Sequence, residues 1–514
     1  MIPEAPNRKP SATRPSDPLP PGPSETVVAS RIEGVLTEPA SCVCFRNTKK
    51  TPQPSPANFA MTQPSPSAQD SHSETSRRGF VKTAASAAAA GAALGFPSVT
   101  FGATDDRKLK IGVVGTGGRG GGAMLNALAA DDKVELYAMG DLYLEEAEKK
   151  LEMVRKNSVS QGKISDTLDS RVFGGIDSYE KVIDAGVDVI LLTTPPAFRP
   201  THFKAAVDAG IHTFVEKPCA TDMAGVKDFL ETSKVAAEKG LSVLCGFCYR
   251  YSEHGRPLFE RIHNGDIGEI QSIHSIYYAG PVKAMPDPSS RPDGMSDTEW
   301  QLSNWYNFVW LGGDGIVEQG CHNVDRIGWA FEDADPVAAF GTGGRARPNN
   351  EGNIYDHFSI TYEYPNNALA HVEWRQYVDS HNFTGDTIYG TKGIAKFGTS
   401  SAEIIGEKSW NWRKPRTPRS MYDLEHEEFF AAIRSGDRKD DADWIGHSTV
   451  MAILGRTACY SGKRITWDAM WNAEQKLVPD HIDINGKLPI RPLRIPGVPE
   501  TQDTVFPEEG QNRA

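Results

Sequence analysis

Short apolar runs alternate with longer amphipathic segments between residues 108 and 246. The apolar runs cover residues 110–114, 134–139, 187–192, 212–215 and 242–246. Segments with helical spacing of apolar residues lie at 123–130, 144–156, 200–209 and 222–238. A continuous apolar run is typical of a strand buried on both faces of a parallel sheet. The alternation therefore predicts an α/β fold with a doubly wound parallel sheet in this part of the chain.

The pattern changes after residue 247. Alternating or aromatic β runs cover residues 269–278, 337–341, 357–364, 368–377, 387–390 and 394–397. Such runs without intervening helices predict a largely antiparallel sheet. We therefore expect a second α/β domain over residues 247–478, with helical segments at 422–434 and 443–460 packed beside it. Residues 479–514 are rich in proline, which predicts an extended tail.

The first hundred residues have a different composition. Residues 1–75 are rich in Pro, Ser and Thr without apolar periodicity, which predicts disorder. Residues 76–103 contain Arg77 and Arg78 followed by an alanine-rich stretch, the layout of a twin-arginine export signal. The alternative is an alanine-rich helix that happens to follow two arginines. Because export signals begin close to their arginines, we expect Met61 to be the true start and the protein to be periplasmic.

Composition excludes some classes of partner. The chain has 514 residues, 39% of them hydrophobic, and a net charge of −12 at pH 7. This length predicts two or three domains. An acidic chain without a basic block does not favour a nucleic acid partner, because phosphate neutralisation requires clustered Lys and Arg. Nothing in the sequence resembles a polytopic membrane protein, so we expect no membrane contact beyond export.

A C-x-x-C motif, Cys245 and Cys248, lies at the end of a predicted buried strand. Alternation along a strand turns these two thiols to opposite sides, which does not suit a zinc or redox pair. We therefore predict no metal site.

A glycine-rich turn follows the first predicted strand. Gly115, Gly117 and Gly120 form G-x-G-x-x-G before a helical run. The first glycine permits a tight turn, the second lets the backbone approach a pyrophosphate, and the third lets helix and strand pack closely. The helix amides then face the phosphates. The predicted cofactor-binding residues of this turn are Gly115, Gly117, Gly118, Arg119 and Gly120.

An acidic residue, Asp141, ends the second predicted strand. An acidic side chain about twenty residues after the glycine turn binds the adenosine ribose hydroxyls in dinucleotide-binding folds. It would repel a ribose phosphate, so the sequence favours NAD over NADP. The alternative is that Asp141 is a turn residue without a ligand.

Polar residues also end two later strands. Thr193, Thr194 and Pro195 follow one strand, and Glu216 and Lys217 end the next. The carboxyl ends of parallel strands meet at one edge of the sheet, where ligands bind. We therefore expect these residues to contact the cofactor, with Lys217 near its nicotinamide end. The alternative for Glu216 and Lys217 is a surface ion pair that closes a strand.

One helical stretch in the second domain, residues 312–325, carries titratable groups. Glu318 and His322 are four residues apart and Asp325 lies three further on, so a single helix would present all three on one face. Two carboxylates and an imidazole suit proton transfer or a metal. The alternative for His322 is a histidine satisfied within the core.

Taken together, these motifs resemble the Gfo/Idh/MocA family of oxidoreductases. The resemblance covers about residues 108–475 and rests on the glycine turn, the Thr-Pro pair, Glu-Lys-Pro and the G-G-x-G...E-x-x-x-H-x-x-D segment, in that order. It implies a Rossmann domain over residues 108–246 that binds NAD(P), and a C-terminal α/β domain with an open sheet. It also implies catalytic roles for Lys217 and His322. Members usually carry Asp where this chain has Glu318.

The resemblance implies that the substrate is a sugar or cyclitol, and we expect a homo-oligomer formed through the C-terminal sheet. Alcohol oxidation requires removal of the hydroxyl proton, and imidazole has the best-placed unperturbed pKa for this. His322 would be that base, oriented by Glu318, while Lys217 would stabilise the developing alkoxide. Predicted substrate-binding residues are Arg250, Trp305 and Asp325. The segment around Trp305 could instead be core packing.

Two alternatives remain open from the sequence. One is an NAD-dependent glycosidase that oxidises its substrate transiently and eliminates the leaving group. The other is a non-catalytic protein that keeps the cofactor as a structural element. Because the periplasm holds little free nicotinamide cofactor, we expect NAD to be loaded before export and tightly bound.

Overall fold

The computed structural model describes residues 106–498, and the structural statements below concern that part of the chain. The predicted leader, the twin-arginine segment and Met61 lie outside the described residues. The described part of the predicted tail, residues 479–498, contains no helix or strand.

The first six described strands form a parallel sheet. They are β1 (Leu109–Val114), β2 (Val134–Asp141), β3 (Val172–Gly174), β4 (Val189–Leu192), β5 (His212–Val215) and β6 (Val243–Cys245). Their order is β3-β2-β1-β4-β5-β6, with every neighbouring pair parallel. The strand order reverses between β1 and β4, which opens a crevice at the carboxyl ends of these strands. The predicted doubly wound parallel sheet is confirmed.

Helices alternate with these strands. They are α1 (Gly118–Ala130), α2 (Leu144–Arg155), α3 (Ser178–Asp184), α4 (Arg199–Asp208) and α5 (Met223–Glu238). The sequence pattern predicted neither β3 nor α3. Strand β3 has three half-buried residues at the sheet edge, so it lacks the continuous apolar run that marks the inner strands.

The remaining strands form a second, mixed sheet. They are β7 (Ile270–Ala279), β8 (Ala338–Gly344), β9 (His357–Glu363), β10 (Leu369–Gln376), β11 (Phe383–Gly390), β12 (Gly393–Gly398), β13 (Ser401–Gly406), β14 (Trp410–Asn411) and β15 (Ile465–Thr466). The order is β14-β13-β12-β11-β7-β10-β9-β8-β15. Strands β7 and β10 pair in parallel, and the other described pairs are antiparallel. The predicted largely antiparallel sheet is confirmed.

Helices of the second half pack on both sheets. They are α6 (Gly255–His263), α7 (Asp297–Ser303), α8 (Val309–Gly312), α9 (Gly315–Glu318), α10 (Cys321–Ala330), α11 (Met421–Ser435), α12 (Ala442–Ser461) and α13 (Trp467–Trp471). Helix α10 packs on β7, and α12 packs on β8 and β9. Within residues 106–498, no helix combines the length and apolar character needed to cross a bilayer.

Helix α11 returns to the first sheet. It packs against α1, and its Phe429 and Phe430 share an apolar cluster with Val113 and Leu128. The sequence pattern had placed this helix beside the second domain. The structure differs because two buried aromatic residues on α11 complete the core of the first domain.

A buried ion pair fixes α10 to the second sheet. The Arg326 guanidinium donates to both carboxylate oxygens of Asp386 on β11, at 2.5 and 3.0 Å, and both side chains are almost fully buried. Arg326 also donates to the carbonyl of His322 at 3.1 Å, and the Ser275 hydroxyl donates to Asp386 at 2.5 Å. The backbone that carries His322 is therefore held by a charged group anchored in the sheet.

We predict that Asp386→Ala lowers the free energy of unfolding by about 3–5 kcal/mol, because it leaves the Arg326 charge buried without its partner. Urea denaturation measures the change. Asp208→Ala, at the exposed end of α4, serves as the control and should cost less than about 1 kcal/mol. A loss of similar size in both variants would contradict the anchoring role of the Arg326 pair.

Candidate active site

A cleft of about 550 Å³ lies at the carboxyl edge of the parallel strands. Its walls come from both halves of the described chain. From the parallel-sheet domain it includes the glycine turn and the ends of β2, β4 and β5, and from the second half it includes Glu318 and His322. The residues that the sequence assigned to cofactor binding all line this cleft: Gly115, Gly117, Gly118, Arg119, Gly120, Asp141, Thr193, Thr194, Pro195, Glu216 and Lys217.

The glycine turn has the geometry expected for close approach of a phosphate. Gly115 has φ +89°, and a Cβ there would lie 2.7 Å from the Thr194 nitrogen. A Cβ on Gly120 would lie 2.0 Å from the Gly115 carbonyl oxygen, so this glycine allows helix and strand to meet. In contrast, a Cβ on Gly117 or Gly118 would point into open space. The open side of the turn and the first amides of α1 fit a pyrophosphate.

Asp141 ends β2 beside this turn. Its carboxylate accepts hydrogen bonds from the Thr116 amide at 2.5 Å and the Thr116 hydroxyl at 2.8 Å. These bonds fix the carboxylate at the cleft, where an adenosine ribose would present its hydroxyls. The placement fits a dinucleotide.

The end of β4 is held by several hydrogen bonds. The Thr193 hydroxyl donates to the carbonyls of Val114, at 3.0 Å, and of Gly115. Thr194 shares a hydrogen bond of 3.2 Å with His202. Arg199, a buried residue that the sequence analysis missed, donates to the Thr194 carbonyl at 3.0 Å. Its only sequence signal was a position next to Pro200 at the start of a helix.

Arg119 lies between two buried carboxylates. It bonds Glu216 directly and Glu425 of α11 at 3.4 Å, and its guanidinium lies 4.5 Å from the Tyr422 ring centre. Burial raises the pKa of Glu216, but the charges of Arg119, Lys217 and Arg199 and the hydrogen bond from Arg119 together outweigh it, so that pKa is lowered overall. Burial instead dominates at Glu425 and raises its pKa well above the ordinary value. Nothing in the sequence indicated Glu425, because it lies far along the chain in an ordinary helix.

Lys217 contacts Glu318 across the cleft. Its ammonium donates to the Glu318 carbonyl at 2.6 Å and to the carboxylate at 3.1 Å. Burial alone would lower the pKa of Lys217, but the negative charges of Glu318 and Glu216, together with the Cys321 thiol, outweigh it and the pKa is raised. Lys217 therefore stays a cation at neutral pH. The peptide bond between Lys217 and Pro218 is cis.

His322 faces the same cleft without a hydrogen-bond partner for its buried Nδ1 among the described residues. Its ring meets the edges of Phe247 and Tyr249 at centroid distances of 5.8 and 5.5 Å. Burial, and then the positive charge of Lys217, lower the pKa of His322 well below its ordinary value. The imidazole is therefore neutral at physiological pH and able to accept a proton.

The single helical stripe expected for residues 312–325 does not form. Helix α9 ends at Glu318 and α10 begins at Cys321, so the helix is interrupted between Glu318 and His322. Both residues still reach the cleft, but the Glu318 carboxylate binds Lys217. The structure thus shows no contact in which Glu318 orients His322.

Two of the three predicted substrate-binding residues lie away from the cleft. Asp325 is 1% exposed, bonded by Arg250 at 3.0 Å and by the Ser448 hydroxyl at 2.9 Å. Arg250 also bonds Asp333 at 2.9 Å. A buried charge needs an oppositely charged partner, and Arg250 forms ion pairs with Asp325 and Asp333 in the interior. Trp305, the third predicted residue, does line the cleft.

Asp314 supports the helix that carries Glu318. Its φ is +77°, a conformation that favours glycine, and its carboxylate accepts from the Gly315 amide at 2.5 Å and the Tyr355 amide at 2.9 Å. The Tyr460 hydroxyl also donates to it. Burial raises the pKa of Asp314 to about 6. The sequence contained Asp314 within the Gly-rich segment, but nothing there indicated its buried partners.

Comparison with known proteins identifies both halves of the chain. Residues 109–247 match the model described as "Oxidoreductase family, NAD-binding Rossmann fold", and residues 256–396 match the "GFO/IDH/MocA C-terminal domain". An inositol 2-dehydrogenase from Pseudomonas fluorescens is 30% identical over 375 residues, which are 67% of this chain and 92% of that protein.

Other similar proteins match more narrowly. A glycosyl hydrolase family 109 protein from Streptomyces coelicolor is 27% identical over 171 residues, 33% of this chain. The chain matches only 34% of that relative's length. A levoglucosan dehydrogenase solved with NADH and levoglucosan aligns with a TM-score of 0.54 at 16% identity, covering 70% of this chain and 99% of that one. That structural likeness shows the shared fold.

We predict that Asp314→Asn removes a pH dependence of stability. The raised folded-state pKa of Asp314 means that the folded protein binds the proton more tightly than the unfolded chain. Because of this carboxyl, the free energy of unfolding falls as pH rises from about 4 to above 6, by roughly 3 kcal/mol at most. Urea denaturation at pH 4.5 and 7.5 measures the slope. The Asn variant should lose this part of the slope, whereas the exposed control Asp208→Asn should keep it. An unchanged slope in Asp314→Asn would contradict the prediction.

Proposed function

The chain belongs to the Gfo/Idh/MocA family of oxidoreductases, and we propose that it transfers hydride between NAD and a secondary alcohol of a sugar or cyclitol. The observation that carries this proposal is the meeting of Lys217, Glu318 and His322 in the cleft that also contains the glycine turn. Alcohol oxidation needs a base for the hydroxyl proton, a positive charge near the oxygen and a bound hydride acceptor. This cleft offers a neutral imidazole, a cation and a dinucleotide site for these three tasks.

The residues that would hold the cofactor are those of the turn and the strand ends. Gly117 and Gly118 leave space for the diphosphate, and Asp141 is placed for the adenosine ribose hydroxyls. An acidic group there supports NAD over NADP, because it would repel a ribose phosphate. When bound, the nicotinamide supplies the hydride acceptor.

His322 is the proposed base. Its imidazole is neutral because burial and Lys217 disfavour the charged form, so it is ready to take the substrate hydroxyl proton. Lys217 remains a cation through its contact with Glu318 and would stabilise negative charge that develops on the substrate oxygen. In this arrangement Glu318 positions Lys217, whereas the sequence analysis had assigned it to His322.

The substrate class rests on the relatives. The Pseudomonas fluorescens relative is named inositol 2-dehydrogenase, and a structural neighbour is named levoglucosan dehydrogenase. Both names denote polyhydroxylated rings. Trp305 on the cleft wall supports this class, because aromatic faces pack well against sugar rings.

The match to a glycosyl hydrolase family 109 protein favours a second candidate, an NAD-dependent glycosidase. Hydride removal would convert a ring hydroxyl to a ketone and acidify the neighbouring C–H. Loss of that proton and cleavage of the bond to the leaving group would give an unsaturated ketone. Water would add to it, and return of the hydride would restore the alcohol, so the reaction has no net oxidation.

We predict that Lys217→Ala and His322→Ala each lower kcat by about two to four powers of ten, the range for loss of an electrostatic stabiliser or a general base. A panel of polyols monitored for NADH, together with nitrophenyl glycosides with and without NAD, measures both candidate activities.

The lowered pKa of His322 places the acidic limb of the kcat/KM profile below pH 6.5. NAD binding should survive His322→Ala. Wild-type turnover in His322→Ala would assign the base to another residue, and absence of every activity in the wild type would contradict the proposal.

We also propose twin-arginine export with NAD already bound, and a homo-oligomer formed through the second sheet. The exposed apolar residues on its strands support an interface there: Phe340, Leu369, Phe383, Tyr389 and Ile405. We predict that the amino-terminal peptide of the unprocessed precursor starts at Met61. We also predict that light scattering gives a native mass that is a multiple of the chain mass. A monomer, or a peptide from before Met61, would contradict the respective proposal.

A further inference from the structure

One segment of the second domain forms part of the cleft wall and contacts the first domain at Tyr143. We call residues 280–311, from the end of β7 through α7 to α8, the clasp. It contributes Lys283, Leu302, Ser303 and Trp305 to the cleft. The clasp therefore lies where it can touch a ligand held by the first domain.

The clasp is joined to the first domain directly after Asp141. The Tyr143 hydroxyl shares a 2.6 Å hydrogen bond with the Ser303 hydroxyl, and Tyr143 itself lines the cleft. Leu142 packs in the same apolar cluster as Leu302. The contact closes the groove beside the residue assigned to the adenosine ribose.

The predicted tail supports the clasp from behind. The Gln301 amide donates to the Leu488 carbonyl at 2.6 Å, and the Ser296 hydroxyl donates to the Ile484 carbonyl. Gln301 in turn accepts from the Trp310 indole at 2.8 Å. Residues 484–488 of the tail thus hold α7 in place, so any opening of the clasp would have to break these bonds as well.

Lys283 carries a charge without an ion-pair partner among the described residues. Its ammonium donates to the Ser303 carbonyl, and no carboxylate of residues 106–498 lies within 4 Å of it. Two other cleft cations differ, because Lys217 is paired with Glu318 and Arg119 with Glu216. Lys283 is exposed as a residue, and the partial burial of its ammonium lowers its pKa, which an anionic partner would offset.

We propose that the clasp is a second binding surface for the dinucleotide, on which Lys283 pairs with the diphosphate and the Tyr143–Ser303 contact closes the groove over the adenosine end. This inference rests on the proposed function, since it concerns the cofactor of the same site. In this arrangement the ligand dissociates only when the clasp opens, so we expect the clasp to slow cofactor release. The expected ligand is a nicotinamide dinucleotide with its two phosphates.

The experiment measures cofactor release directly, without turnover. The full protein is loaded with NADH and mixed with excess NAD⁺, and the loss of bound-nicotinamide fluorescence gives the dissociation rate. Lys283→Met should raise that rate about tenfold or more, as expected for a hydrogen bond to a charged group, and the effect should shrink at high salt. Ser303→Ala should raise it about threefold. Lys204→Met, which changes an exposed side chain of α4, is the matched control and should leave the rate unchanged.

Tyr143→Phe provides a second test, because it removes the same hydrogen bond from the other side. Because the Tyr143 hydroxyl also donates to the Glu299 carboxylate at 3.5 Å, its effect should be at least that of Ser303→Ala, and the double variant should be no faster than Tyr143→Phe alone. Thermal unfolding checks that each variant is folded. If all three clasp variants release NADH at the wild-type rate, the inference is overturned. The proposed function would still stand in that case, because the protein binds NADH. If no variant releases NADH faster but Lys283→Met raises the KM for the substrate, Lys283 binds the substrate instead. That result would also overturn the inference. Failure of the wild type to bind NADH would instead contradict the proposed function.

Discussion

The contact between Lys217 and Glu318 is the interaction on which the site depends. It joins the end of a strand in the first sheet to a short helix of the second domain, through both the carbonyl and the carboxylate of one residue. Burying an ammonium is costly, and the loss is offset only by good geometry with an opposite charge. The same pair keeps a cation beside His322, which favours the neutral imidazole. This one contact thus joins the two domains and places a positive charge beside His322.

Charges elsewhere in the cleft are balanced in a similar way. Arg119 is shared by Glu216 and Glu425, but the two carboxyls titrate differently. Glu216 also faces Lys217 and stays ionised, whereas burial dominates at Glu425 and favours its protonated form. One guanidinium therefore needs only one full negative partner.

The sequence was sufficient for features with a local physical cause. A strand buried on both faces must be apolar throughout, so β1, β4 and β5 were visible as runs of apolar residues. A turn that brings backbone to within contact distance needs glycine, so Gly115 and Gly120 were visible too. The parallel sheet, the largely antiparallel character of the second sheet and the cofactor edge follow from these patterns. Edge strand β3 and helix α3 were not predicted, because they are short and only partly buried.

The sequence by itself determined the parallel sheet, the glycine turn and the residue types at its edge, because strand burial and tight turns restrict residues locally. Only the tertiary structure decided which charges meet. Residues Asp325 and Arg250 pair with each other in the interior, while Glu318 turns to Lys217 because the helix breaks before His322. Pairing of buried charges depends on distances between segments that are far apart in the chain, and periodicity contains no information about those distances.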